Sequence, residues 1–247
     1  MNIVQSLARR LYDWMGILLI VCLVLLTATG TWSPESTTAQ ETVATLTDHP
    51  QPPVIAVDAG HGGMDGGATM ANGVPEAGIN LLISQMVEQG LREAGFTVVM
   101  TRTDEHALGE TKNQDMRARR DILRAEGVCA VVSIHLNKFR DIAVSGPRVF
   151  YMRGSAEGEK LATDIVSAVC VSIDHPARPA NPGDYYIVRE SVAPAVIVEC
   201  GFLSNPADAE LLQTKAHQLK LAAGIVAGVS AYFVRDTPPP PASAFIP

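Results

Sequence analysis

Two histidines and two glutamates carry the chemical signal in this 247-residue sequence. His61 stands in Asp58-Ala59-Gly60-His61-Gly62-Gly63, directly after the short apolar run Val54–Asp58. His135 follows the apolar run Val128–Ile134, Glu199 ends the stretch Ala195–Val198, and Glu76 opens a segment of helical periodicity. Two imidazoles and one carboxylate, with a fourth position left to water, make the ligand set of a catalytic zinc site. Such an ion lowers the pKa of bound water toward ~7 and polarises a carbonyl. A second carboxylate beside that water serves as general base and then as proton donor to the leaving amine. The four residues supply one side chain for each of these roles. Singly, most have ordinary explanations: a histidine after a strand is commonly a structural hydrogen-bonder, and a glutamate opening a helix complements its dipole. Glu199 resists one, because an apolar approach through Val196, Ile197 and Val198 makes an unpaired charge costly.

These residues need a scaffold that gathers them, and the patterning predicts it. Val54–Asp58, Thr97–Thr101, Val128–Ile134, Arg148–Met152, Tyr185–Val188 and Ala195–Glu199 read as strands. Glu76–Ala94 carries Ile79, Leu82, Ile83, Met86, Val87 and Leu91 as a helical stripe closed by Gly95. Gln114–Glu126, Ala156–Ile173, Pro206–Leu212 and Lys215–Phe233 read as further helices. Strands alternating with helices predict a single α/β domain: a mostly parallel central sheet of about six strands with helices on both faces. Ligands of open α/β sheets bind beyond the carboxyl ends of the strands. That rule brings His61, Glu76, His135 and Glu199 to one edge.

The rest of the sequence bounds the setting. A net charge of −7 argues against nucleic acid as a partner, because phosphate binding needs a cationic surface. Arg9 and Arg10 precede an uncharged stretch with an apolar centre from Ile17 to Leu26, so residues 1–32 read as an export signal or an N-terminal membrane anchor. Residues 33–52 read as a flexible spacer, 53–235 as the folded domain and 236–247 as a Pro-rich tail. The domain is thereby expected on the outer face of the cytoplasmic membrane or in the cell wall or periplasmic space. Cys129, Cys170 and Cys200 have apolar neighbours and no CxxC spacing, and are expected to be buried thiols. His49, His106 and His217 are expected to be solvated, and His175, before Pro176, is a minor substrate-contact candidate.

Four motifs occur in order: Val57-Asp58-Ala59-Gly60-His61-Gly62-Gly63, Glu76 with Asn80-Leu81, Ser133-Ile134-His135-Leu136-Asn137, and Val198-Glu199-Cys200-Gly201-Phe202-Leu203-Ser204-Asn205. With them the sequence resembles the zinc-dependent N-acetylmuramoyl-L-alanine amidases of the amidase-3 type over about Pro53–Phe233. Thr101-Arg102 and the Arg117–Arg120 segment are also similar to that family. The resemblance implies that His61, Glu76 and His135 bind Zn2+ and that Glu199 is the catalytic carboxylate. It implies a peptidoglycan substrate, cut between the lactyl group of N-acetylmuramic acid and L-alanine. Asp58, Asn80 and Asn137 are then candidates to support the ligands or meet the substrate, with capping of its own loop the other reading of Asp58. One departure is Ala77-Gly78 after Glu76, where family members often carry a polar or basic pair. Asp184-Tyr185-Tyr186-Ile187-Val188-Arg189 and the lack of a wall-binding repeat are similar to the germination-specific amidases of spore-formers. Those enzymes are associated with muramic-δ-lactam in the spore cortex. No accessory partner is identifiable from the residues. Three rivals are a zinc peptidase acting on the stem peptide, a metal-free glycosidase using Glu76 and Glu199, and a non-catalytic wall-binding or regulatory module.

Overall fold

The computed structural model describes residues 51–235. The segment read as signal or anchor, nearly all of the spacer with His49, and the Pro-rich tail lie outside the described residues. Among the described residues no helix is long and apolar enough to cross a membrane.

The chain alternates strand and helix: β1 (Val54–Ala59), α1 (Glu76–Glu93), β2 (Thr97–Met100), α2 (Lys112–Leu123), β3 (Val128–Asn137), β4 (Arg148–Met152), α3 (Ala156–Ser172), β5 (Asn181–Gly183), α4 (Tyr186–Glu190), β6 (Ala195–Phe202), α5 (Pro206–Leu212) and α6 (Lys215–Arg235). The six strands form one sheet in the order β2-β1-β3-β6-β4-β5. All neighbours are parallel except β4 and β6. The expected mostly parallel α/β architecture is therefore the observed one.

Strand side chains alternate between faces, and here the alternation divides the core in two. Ile55 and Val57 of β1, Val132 and Ile134 of β3, and Val196 and Val198 of β6 face the large cluster built with α1, α3 and α6. Ala56, Val131, Ala195 and Ile197 face a smaller cluster that includes Leu123 of α2 and Ile187 and Val188 of α4. By the same parity Asp58, Ser133, His135 and Glu199 project from the thinly covered face. β3 and β6 run past their expected ends, so His135, Asn137 and Glu199 lie within strands, with His135 and Glu199 in cross-strand register.

Three expectations are corrected. Tyr185–Val188 is not a strand: the edge strand is Asn181–Gly183, and Tyr186–Glu190 is a short helix. Ile187 and Val188 are both buried, in one cluster. Adjacent residues of a strand face opposite sides, so burying both in one cluster against β6 selects the helical turn. Helix α2 begins at Lys112 because Thr111 and Gln114 form a reciprocal capping box. Cys129 is exposed rather than buried. It is the residue passed over when the β1–β3 register shifts between Val54↔Val128 and Ile55↔Ala130, so the bulge leaves it unpaired with the core.

Helix α6 packs on α3 at glycines. A Cβ on Gly228 would lie 2.4 Å from Ile165 Cα, and backbone cannot swing away as a flexible side chain can. Gly228→Ala should therefore destabilise the domain by about 1–3 kcal/mol through overpacking, outweighing the ~1 kcal/mol that alanine gains in helix propensity. Denaturant midpoints measure this. An unchanged or raised midpoint would show that the two helices separate without cost.

Candidate active site

Glu76 is the centre of the candidate site. It is the first residue of α1, where a carboxylate is favoured by the helix dipole, yet it is only 2 % exposed. Its Oε1 accepts from Leu136 N (3.1 Å) and Asn80 Nδ2 (3.0 Å), and its Oε2 from Ala68 N (2.9 Å). The same Oε1 lies 3.0 Å from His135 Nδ1 and 3.4 Å from His61 Nε2. Burial alone would raise the Glu76 pKa. The two histidines outweigh it and hold the carboxyl far below its ordinary value. One ligand atom from each of His61, Glu76 and His135 lies within 4.8 Å of the others, a group able to hold a metal ion.

Each histidine is fixed by its local structure. His61 sits in the left-handed region at φ 61°, an uncommon conformation for a residue with a Cβ. Its Nδ1 lies 3.0 Å from Asp65 Oδ2, which also meets Lys112 Nζ at 3.1 Å. Asp65 thus occupies one ring nitrogen and turns the other, Nε2, toward Glu76, as carboxylates behind ligand histidines do. Burial opposes ionisation of Asp65, but the bonds to His61 and Lys112 hold its pKa at about 2. His135 is seated by a missing side chain: a Cβ on Gly60 would fall 2.3 Å from its ring. The two imidazoles meet edge to face at 4.9 Å.

Beneath them lies a buried polar lattice. Asp58, 1 % exposed, accepts from Thr101 Oγ1 (2.8 Å), Ser133 Oγ (2.6 Å) and Arg119 Nη1 (2.7 Å). Arg119, 2 % exposed, also donates to Ala59 O, His61 O and Asp115. Arg102 spends its guanidinium on the carbonyls of Ala59, Gly60, Ala77 and Asp104. Asp58 therefore neither caps its own loop nor hydrogen-bonds a histidine; it anchors Arg119, which holds the His61 carbonyl. Burial raises the Asp58 pKa, and the Arg119 charge foremost brings it below the ordinary value. Asn80 does act on the site, donating to Glu76 and, at 3.2 Å, to Gly60 O. Asn137 accepts from Lys138 N through its side-chain oxygen and from Leu203 N through its carbonyl. Sequence reasoning passed over Asp65 and Lys112. Asp65 lies four residues beyond His61, and the capping box that places Lys112 was the available cue.

Glu199 differs from every other acid here. Its Oε2 is enclosed and has no hydrogen-bond partner among the described residues. Burial first of all, with the nearby Glu76 charge, pushes its pKa up to about 7, against the opposing pull of His135. Of the other histidines, His106 is solvated as expected, while His217 is half-buried and burial lowers its pKa. His175 is half-buried and its Nδ1 lies 2.8 Å from Pro176 O.

Comparison with known proteins gives a consistent answer. The profile of the Amidase_3 family, described as N-acetylmuramoyl-L-alanine amidase, matches residues 55–231. The Bacillus subtilis protein YqiI is 35% identical over 72% of this chain and 84% of its own length. The germination-specific N-acetylmuramoyl-L-alanine amidase of Bacillus subtilis is 32% identical over 76% of this chain and 82% of its own. Among solved structures, the CwlD amidase of Clostridioides difficile, determined in complex with the GerS lipoprotein, superposes with a TM-score of 0.72 at 30% identity, covering 74% of this chain and 100% of that one.

The orphaned carboxylate gives a stability prediction. A carboxyl whose folded pKa is raised costs stability that is absent below its ordinary value of 4.5 and complete above about 7. In chelator at pH 8, Glu199→Gln should stabilise the metal-free domain by about 1–3 kcal/mol, and at pH 4 hardly at all. Urea titrations at the two pH values measure it. A variant equally or less stable at pH 8 would show that Glu199 is not desolvated.

Proposed function

This chain belongs to the Amidase_3 family and is an N-acetylmuramoyl-L-alanine amidase, a cell-wall hydrolase; we propose that its metal is zinc, held by His61 Nε2, Glu76 Oε1 and His135 Nδ1, with Glu199 as general base. Ligand atoms about 2.0–2.1 Å from a tetrahedral zinc stand roughly 3.3 Å apart. Separations of 3.4 and 3.0 Å from Glu76 Oε1 to the two imidazole nitrogens support that reading. A zinc ion in such a site supplies Lewis acidity, polarising the amide carbonyl and acidifying water.

The observation that carries the division of roles is the unpartnered Glu199 Oε2 beside an acid whose oxygens are all engaged. Glu76 is held ionised by two histidines and three N–H donors, so it binds and does not shuttle protons. Glu199 has a free oxygen and a pKa near neutrality, the condition for accepting a proton and returning it. In this reading it takes the proton from the attacking water and delivers it to the departing nitrogen of L-alanine. The metal-free glycosidase alternative needs two carboxyls free to act, and Glu76 is not free. The relationship to a germination-specific amidase supports a spore-cortex or closely related peptidoglycan as substrate. Export through residues 1–32 belongs to the same proposal.

His61→Ala and His135→Ala should lose stoichiometric zinc together with activity, as expected where each of three ligands matters. Glu199→Gln should keep its zinc and lose roughly 10²–10⁴ in kcat. Zinc content by atomic absorption and a peptidoglycan digest analysed for stems beginning at L-alanine check both. A Glu199→Gln protein lacking zinc would make Glu199 a ligand, and one of full activity would place the base elsewhere.

The pH profile follows with its sign. A base works only when deprotonated, so the wild-type rate should fall as pH falls through the Glu199 pKa. A bound cation favours the carboxylate, so the midpoint should lie between the ordinary 4.5 and about 7. The residual activity of Glu199→Gln should lack this limb. An identical acid limb in that variant would assign it to another group.

A further inference from the structure

We propose that the cavity between α2, α4 and the carboxyl edge of the sheet receives the stem peptide, and that Lys112 recognises a free carboxylate on the stem's second residue. The inference rests on the amidase reading above, which fixes where the scissile amide lies. The cavity, of about 220 Å³, has His61 and His135 at its inner end, Met116, Tyr185 and Ile187 along an apolar wall, and Lys112 at its rim. It is therefore continuous with the reacting centre.

The charges facing this cavity are almost all spent on one another. Asp58 and Asp115 are both bound to Arg119, and Asp115 also accepts from Leu108 N. Arg119 is taken up by those acids and by the carbonyls of Ala59 and His61. Asp65 is shared between His61 and Lys112. Lys112 is different. Its side chain is 69% exposed, and Asp65 engages it at a single contact of 3.1 Å. An ammonium has three donors, so two face outward while the Asp65 contact keeps the group in place. Two further cavities among the described residues offer no equivalent. One, lined by Asn72, Leu203, Glu210 and Gln213, has no cation. In the other, Arg102 is committed to four carbonyls.

The substrate's chemistry matches this placement. The alanine nitrogen is the leaving group, and the next α-carbon lies roughly 3.8 Å from that of alanine across one trans peptide. In peptidoglycan that residue is a D-glutamate linked through its γ-carboxyl, so its α-carboxylate stands free there unless it is amidated. On the protein, Lys112 is separated from the metal-facing nitrogen of His61 by one carboxylate and one imidazole ring. The apolar wall suits the alanine methyl and the aliphatic part of the glutamate.

The test compares soluble muropeptides that differ only in this group, α-carboxylate against α-carboxamide. The wild-type holoenzyme should prefer the acid about tenfold in kcat/KM, the worth of one hydrogen bond between charged groups. Lys112→Gln should bring the ratio close to one, with the loss falling on KM for the acid, and Lys112→Arg should retain the preference. Arg140→Gln, removing an exposed cation on the β3–β4 loop, should keep the wild-type ratio. A disturbance passed through Asp65 to His61 would lower both substrates together, so the ratio isolates recognition. A wild-type enzyme that does not discriminate, or a Lys112→Gln enzyme that still does, overturns the proposal. Cleavage of neither peptide at the lactyl–alanine bond instead overturns the amidase reading, and this proposal with it.

Discussion

The buried Asp58–Arg119 ion pair is the interaction on which the rest of the site depends. Taking both charges out of water costs several kcal/mol per ion, and only a full set of hydrogen bonds offsets it. The set is supplied by separate parts of the fold: Thr101 just after β2, Ser133 on β3, Asp115 on α2, and the carbonyls of Ala59 at the end of β1 and His61 beyond it. The pair thus ties two neighbours of β1 to the helix above them. It also determines the loop. His61 adopts a left-handed backbone, and residues in sparsely populated regions persist only where surrounding structure over-determines them. Arg119 on the His61 carbonyl, with Arg102 on the carbonyls of Ala59 and Gly60, provides that over-determination.

Much of this was legible in the sequence, and the reasons are specific. Strand periodicity placed His135 and Glu199 near strand ends, and the parity of β1, β3 and β6 puts Asp58, Ser133, His135 and Glu199 on one face. The rule that ligands bind beyond strand carboxyl ends gathers His61, Glu76, His135 and Glu199 at one edge, and the family resemblance divides them into ligands and base. What stayed illegible depended on tertiary partners. The run Tyr185–Val188 has no length or period to separate strand from helix, and only the burial of both Ile187 and Val188 in one cluster with β6 decides it. Asp58 read as a loop cap because its partner lies 61 positions away. Cys129 read as buried because nothing local announces a register shift.

The two glutamates show how one scaffold divides the work of two identical side chains. Glu76 is buried but saturated: three N–H donors and two imidazoles stabilise its charge, so it remains ionised. Glu199 is enclosed without such donors, so its proton affinity rises. Environments that push two carboxyls apart in this way mark out acid–base roles from charge-holding ones. The difference originates in secondary structure. The Asn80 amide one turn along α1, the loop N–H of Ala68 and the β3 N–H of Leu136 converge on Glu76, whereas no donor among the described residues reaches Glu199 Oε2.

The same asymmetry explains why the site opens where it does. One face of the sheet is sealed by α1, α3 and α6 over the large core. Among the described residues the other carries only α2 and the short α4 over a small cluster. Functional side chains on the sealed face would be unreachable by a polymeric substrate. Those on the thin face emerge between α2 and α4, beside a cavity that reaches both histidines. Short helices on that face sacrifice apolar burial, and the buried polar lattice around Arg119 occupies the space a larger core would have filled. The position of the chemistry and the unequal layering of the fold are consequences of the same packing choice.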